Sequence, residues 1–155
     1  MSTDPPAGFV PLPDVDGFIT HVGPLYVRWT EASAQLGFRV AEHHANPAGI
    51  CHGGMLMTLM DMGIAVALKV AAKSEMFLPT INLSFDFLAP ANVGDWLVSE
   101  VSFTHTTPRM GFAHGLLIGP NGPVARANGI MKIPKADDAR FMAASRRVGN
   151  LGQDG

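Results

Sequence analysis

The chain has 155 residues, 47% of them hydrophobic and 15% charged, with a net charge of -2. That length suits one domain able to bury a sizeable core, and the lack of a basic run argues against a nucleic-acid partner. Cys51, the single cysteine, excludes an internal disulfide framework and a CxxC metal knuckle, so a reduced, cytoplasmic setting is expected.

Residues 1 to about 16 carry several prolines and few large apolar side chains, and are expected to form a flexible arm. They lack the charged-then-apolar order of a signal peptide. A single domain is expected over 17–135. "GPLYVRWT" and "LGFRVAEH" alternate in part and read as strands or a hairpin. A helix rich in Met, Leu and Ala is predicted over about 54–72, with Lys69 and Lys73 near the C-terminus, where the helix dipole favours cations. Its greasiest stretch, Met55 to Leu68, is 14 residues long and is interrupted by Asp61. A bilayer span needs roughly 20 apolar residues, so no membrane crossing is expected.

Four strands follow: "TINLSFDFLAP", "DWLVSEVSFTHTT", "RMGFAHGLLIG" and "VARANGIMKIP", the last two joined by the turn "GPNGP". Ile81, Leu83, Phe85 and Phe87 alternate with Asn82, Ser84 and Asp86, which predicts a strand with one buried face. After Lys135 the chain turns polar and ends in glycine, so 136–155 is expected to be a partly disordered tail. One long helix followed by four strands excludes a doubly wound α/β fold, because the helices between strands are missing. The fold class is α+β, a largely antiparallel sheet packed on one helix. That helix is apolar nearly all round, and is expected to be both enclosed and at a subunit interface.

The helix entry "AGICHGG" places Gly53 and Gly54 where backbone N–H groups lack intrahelical acceptors. Such donors, at the positive end of the dipole, suit negative charge or a carbonyl becoming an oxyanion, although a Gly-Gly pair before a helix also suits a plain turn. Asp61 has Met57, Thr58, Ile64 and Ala65 at i±3 and i±4. A carboxylate among such neighbours has either a specific partner or a chemical task. Eight residues of helix separate it from Gly53 by roughly 12 Å. If both act on one carbonyl they must come from different copies, with two helices antiparallel in a two-fold dimer.

The run Asn46-Pro-Ala-Gly49-Ile-Cys-His52-Gly53-Gly54, followed by six residues and Asp61, resembles the signature of hotdog-fold thioesterases of the phenylacetate-degradation (PaaI-like) group. "TINLSFDFLAPANVGD" resembles the strand that follows the helix in that family, and "GPVARANGIMKI" its closing strand. The similarity runs from about Gly23 to Pro134 and implies a hotdog fold, with five or six antiparallel strands wrapped around the helix. It further implies homodimers, often paired into homotetramers, that hydrolyse acyl-coenzyme A thioesters with neither metal nor bound cofactor.

Carried over by motif, Gly53 would supply the N–H that polarises the thioester carbonyl, with Gly54 beside it in substrate binding. Asp61 of the other subunit would be the nucleophile or the base that activates water. Asn46 would orient water or a substrate carbonyl, His52 would shape the loop near the thioester, and Thr80 would hydrogen-bond the attacking water. Pro47 departs from the usual pattern and biases Asn46 towards extended backbone.

Other readings of the same residues carry less. Cys51 and His52 are adjacent, and adjacent side chains rarely face each other as nucleophile and base. His43, His44 and His52 lack the spacing of a zinc quartet. Arg109, in "TTPRMG", is a candidate partner for coenzyme A phosphates, or an ordinary solvated arginine. The alternative function class is a non-catalytic acyl-coenzyme A-binding or regulatory hotdog module. A dead relative would lose the acid, whereas this chain keeps Asp61 with Asn46, Gly53 and Thr80.

Overall fold

A computed structural model describes residues 4–13 and 17–148. Seven strands form one sheet in the order β1-β2-β3-β5-β6-β7-β4. They are β1 (Val10–Pro11), β2 (Tyr26–Trp29), β3 (Ala34–Arg39), β4 (Thr80–Phe87), β5 (Trp96–Thr106), β6 (Met110–Gly119) and β7 (Gly122–Lys132). Every pairing is antiparallel. The helices are α1 (Phe18–Val22), α2 (Gly53–Ala72) and α3 (Ala139–Val148). This is the hotdog architecture, with the sheet wrapped around α2. It has one strand more than the five or six implied by resemblance, because β1 adds a two-residue edge.

Helix α2 is built from good helix formers and buries Leu59, Met60, Ile64 and Leu68 completely against the sheet. Its 20 residues are long and apolar enough by composition to cross a membrane, yet half of that stretch is buried against the sheet. Gly63 sits mid-helix, where glycine costs about 1 kcal/mol relative to alanine. A Cβ there would lie 2.5 Å from Ser99 Oγ. Ser99 is fully buried, and its Oγ accepts a hydrogen bond from Leu36 N at 3.0 Å, so only a glycine lets the helix approach β5 so closely. The helix ends at Lys73 in the left-handed conformation, its N–H donating to Lys69 O and Val70 O.

Three regions differ from expectation. Phe9, in the predicted arm, is buried edge-on against Trp96 at 5.1 Å, and β1 pairs with β2, so residues 4–13 are tied to the sheet. Positions 1–3 and 14–16 of that arm lie outside the described residues. The predicted tail carries helix α3, turned towards the body along Phe141, Met142 and Ser145. Ser145 Oγ accepts from Phe77 N at 2.6 Å, which fastens α3 to the loop before β4; positions 149–155 lie outside the described residues. Finally, β4 alternates as predicted but its apolar face is largely uncovered: Ile81 is 55% and Phe87 57% exposed. It is an edge strand paired only with β7, and Ile81 falls at a register shift between Thr80 and Asn82.

Candidate functional site

The helix entry is built by a tight loop. Asn46 N donates to Ile50 O at 2.8 Å and Gly49 N to Asn46 O at 2.9 Å, with Gly49 at φ +77°. Asn46 Oδ1 accepts from Ala48 N at 2.9 Å, the short-range bond by which asparagine stabilises a turn. Asn46 therefore spends its carbonyl on the loop and keeps its amide NH2 for other partners. Cys51 N donates to Ala91 O at 2.8 Å, pinning the loop to the β4–β5 connection.

His52 is the N-cap of α2, its Nδ1 accepting from Gly54 N at 2.9 Å. The expectation that both glycine N–H groups are free is corrected here: the Gly54 donor is taken by the cap. Among the described residues the Gly53 N–H has no acceptor. It stands at the positive end of a 20-residue helix. Gly53 and Asn46 share an open recess of about 430 Å³ with Leu56, Phe87 and Ala91. The Phe87 ring lies over Gly53, so a Cβ there would come within 2.9 Å of it. A side chain at this position would have to displace that exposed ring.

Asp61 lies two turns further along α2. Its Oδ1 accepts from Thr80 Oγ1 at 2.7 Å, and the carboxylate is partly exposed. The acid thus has a specific partner, and Thr80 contacts the carboxylate itself. Both residues border a second, narrower recess of about 270 Å³, walled by Ile19, Met62, Ala65 and Leu78. Asn46 and Gly53 line the first recess, Asp61 and Thr80 the second; one copy of the chain does not bring the two pairs together.

Arg109 lies exposed in the β5–β6 turn and lines neither recess. Its backbone O accepts from Ile133 N at 2.8 Å. Cys51 is buried, and desolvation pushes its thiol up to about 11, which leaves it protonated and unsuited to attack. His44 is buried too, with Nε2 2.7 Å from Val22 O and Nδ1 accepting from Ala41 N at 2.9 Å. Sequence reasoning missed Phe87 over Gly53 and the contributions of Ile19, Lys69 and Ser145 to the second recess. The first of these had a visible signal, an aromatic residue at the end of an alternating strand; Ile19 and Ser145 come from short helices with weak patterns, and Lys69, on α2, had only its i+8 spacing from Asp61 as a signal.

A sequence profile described as "Thioesterase superfamily" matches residues 48–122. The Pseudomonas aeruginosa protein named "Putative esterase PA0474" is 34% identical over 131 residues, which cover 83% of this chain and 97% of that protein. The Escherichia coli PaaI protein from the phenylacetic acid degradation operon superposes with a TM-score of 0.64 at 22% identity, covering 76% of this chain and 83% of that one. A Streptococcus mutans protein solved with acetyl coenzyme A superposes at 0.61 with 20% identity, covering 70% and 86%.

Proposed function

The chain belongs to the thioesterase superfamily, and on that premise we propose that it hydrolyses acyl-coenzyme A thioesters in a site shared by two copies. The observation that carries this reading is the division of the machinery along α2. An unpaired Gly53 N–H opens into one recess, and a carboxylate held by Thr80 opens into another. Gly53 and Asp61 are roughly 12 Å apart on one helix, too far to act on one carbonyl, whereas two antiparallel helices bring each donor to the other's acid. Strand β4 supports such a pairing. It is a sheet edge carrying the exposed apolar side chains Ile81 and Phe87, with exposed Leu88 just past its end, the kind of surface that a second copy covers.

In this reading the thioester oxygen accepts from Gly53 N–H, joined by the Asn46 amide, and its carbon becomes electrophilic. His52 holds Gly54 N–H and so fixes the entry of the helix without competing for the oxyanion. The partner copy's Asp61 either takes a proton from the attacking water or attacks directly, giving an acyl-enzyme anhydride that water then cleaves. Either way the C–S bond breaks, the coenzyme A thiolate takes up a proton, and the free acid leaves. Thr80 steadies Oδ1 so that Oδ2 faces the reacting centre. Arg109, solvated and outside both recesses, is the candidate for the phosphates of coenzyme A.

The test is release of free coenzyme A from a panel of short, long and aryl thioesters. Binding without turnover on every member would favour the non-catalytic module. Single-turnover hydrolysis in ¹⁸O-water separates the two roles of Asp61, since only the anhydride route places label in the aspartate.

A further inference from the structure

The recess beside Asp61 extends away from the acid along α2. Asp61, Ala65 and Lys69 all line it, and their i, i+4, i+8 spacing puts them on one face of the helix. The distance from the acid to Lys69 is roughly 12 Å. The side walls come from outside the helix and sheet core: Leu12 follows β1, Ile19 belongs to α1 and Ser145 to α3. Ser145 makes the α3 wall a fixed one. Its Oγ accepts from Phe77 N at 2.6 Å and donates to Phe141 O at 2.7 Å, which locks α3 to the loop leading into Thr80. The lining is overwhelmingly apolar until Lys69, whose ammonium desolvation holds below the ordinary lysine range.

We propose that this recess holds the acyl group of the thioester, and that α1, α3 and Lys69 limit it to apolar groups of about six to ten carbons, a single aromatic ring included. The assignment rests on the thioesterase reading above. Two estimates, both for the recess as one copy of the chain forms it, give the limit. An extended chain advances roughly 1.2 Å per bond, a third of the span of one residue, so about ten bonds separate Asp61 from Lys69. The volume of about 270 Å³ equals roughly nine water-sized groups at about 30 Å³ each. A sixteen-carbon chain needs about 18 Å by the same arithmetic, and would have to pass the Lys69 ammonium.

The test is kcat/KM for saturated thioesters from acetyl to palmitoyl, with phenylacetyl included. In the native protein the profile should peak near octanoyl and collapse at palmitoyl. Ala65→Phe fills the recess and should lower octanoyl relative to acetyl by about tenfold or more, the discrimination that apolar pockets achieve. Lys69→Ala opens the far end and should move the peak to longer chains; it decides the matter should Ala65→Phe fail to fold. A palmitoyl optimum in the native protein, or an unmoved profile in the folded variants, overturns the acyl-pocket assignment while leaving the thioesterase reading intact. No turnover on any thioester overturns both.

Discussion

The two recesses on α2 are made in opposite ways. The one at Gly53 draws its polar groups from one place: a nine-residue stretch from Asn46 to Gly54 supplies the turn, the cap and the free donor, and the distant segment from Phe87 to Ala91 adds only an apolar wall. The one at Asp61 is assembled from afar, with Thr80 nineteen residues on and side walls from α1 and α3. A backbone N–H at a helix terminus is available without any tertiary help, because geometry leaves it unpaired. A carboxylate in mid-helix needs a donor brought to it, since its own neighbours along the helix are apolar. Half a site can therefore be written in nine residues, while the other half requires the whole fold.

The sharpest way to break that comparison is to remove the acid. Asp61→Asn keeps the shape and should cost about 10² to 10⁴ in turnover, the usual range for a lost general base, with circular dichroism unchanged. Native-like turnover would take Asp61 out of the mechanism. Next, Gly53→Pro deletes the donor at the first helical position, where proline is well tolerated, at the cost of displacing the exposed Phe87 ring. A loss of about 10² to 10³ is expected. Mixing the two variants under subunit exchange tests the division itself. A dimer with one copy of each has one intact composite site, so activity should return to about a quarter of native. No recovery in demonstrated mixed dimers would place both halves in a single copy.

A smaller effect is expected at Thr80. Thr80→Val removes the donor to Asp61 Oδ1 with little change in shape, and a hydrogen bond to a charged group is worth roughly 1.5–3 kcal/mol. Turnover should fall about tenfold or somewhat more, with KM little altered, because the bond orients the acid and does not touch the bound thioester. An unchanged kcat would show that the carboxylate is held in place by packing alone.

These contrasts explain how far the sequence could be read. The helix and the four strands after it follow from periodicity, the Gly53 donor from its place at a helix start, and the Asn46–Asp61 motif from its resemblance to a family signature. Missing were the features made by long-range contact. That His52 claims Gly54 N–H depends on a side-chain rotamer, which glycine spacing does not encode. Phe87 over Gly53 depends on where the end of β4 meets the start of α2. Helix α3 was hidden because "ARFMAASRRV" is amphipathic but polar on average, and its seat is made by Ser145 bonding to Phe77 across 68 positions. The buried face predicted for β4 was half right for a related reason: alternation shows which face is apolar, and the sheet order decides whether one copy covers it.

The smallest effect is a pH dependence confined to the Gly53 side. His44 packs edge-on against Phe38 at 5.0 Å and lies tilted against the His43 ring at 3.9 Å. Its O accepts from His52 N at 2.7 Å, so its position sets that of the cap. With Nδ1 accepting from Ala41 N–H, Nε2–H donates to Val22 O, and the neutral ring satisfies both contacts. Burial lowers its pKa below 6.5, the Val22 carbonyl opposes the shift, and His43 adds to it. The unfolded chain therefore binds the proton more readily than the folded one. Stability is full above pH 6.5 and is lost as pH falls from there towards the folded value. Hydrogen exchange of amides 41–54 should consequently quicken on moving from pH 7 to 5, after correction for intrinsic rates, while amides 61–69 stay protected. His44→Gln, which removes this imidazole and leaves His43 and His52 in place, should weaken the trend. Equal loosening of both stretches would mean that the two halves of the site unfold as one unit, and that their separate construction has no counterpart in their stability.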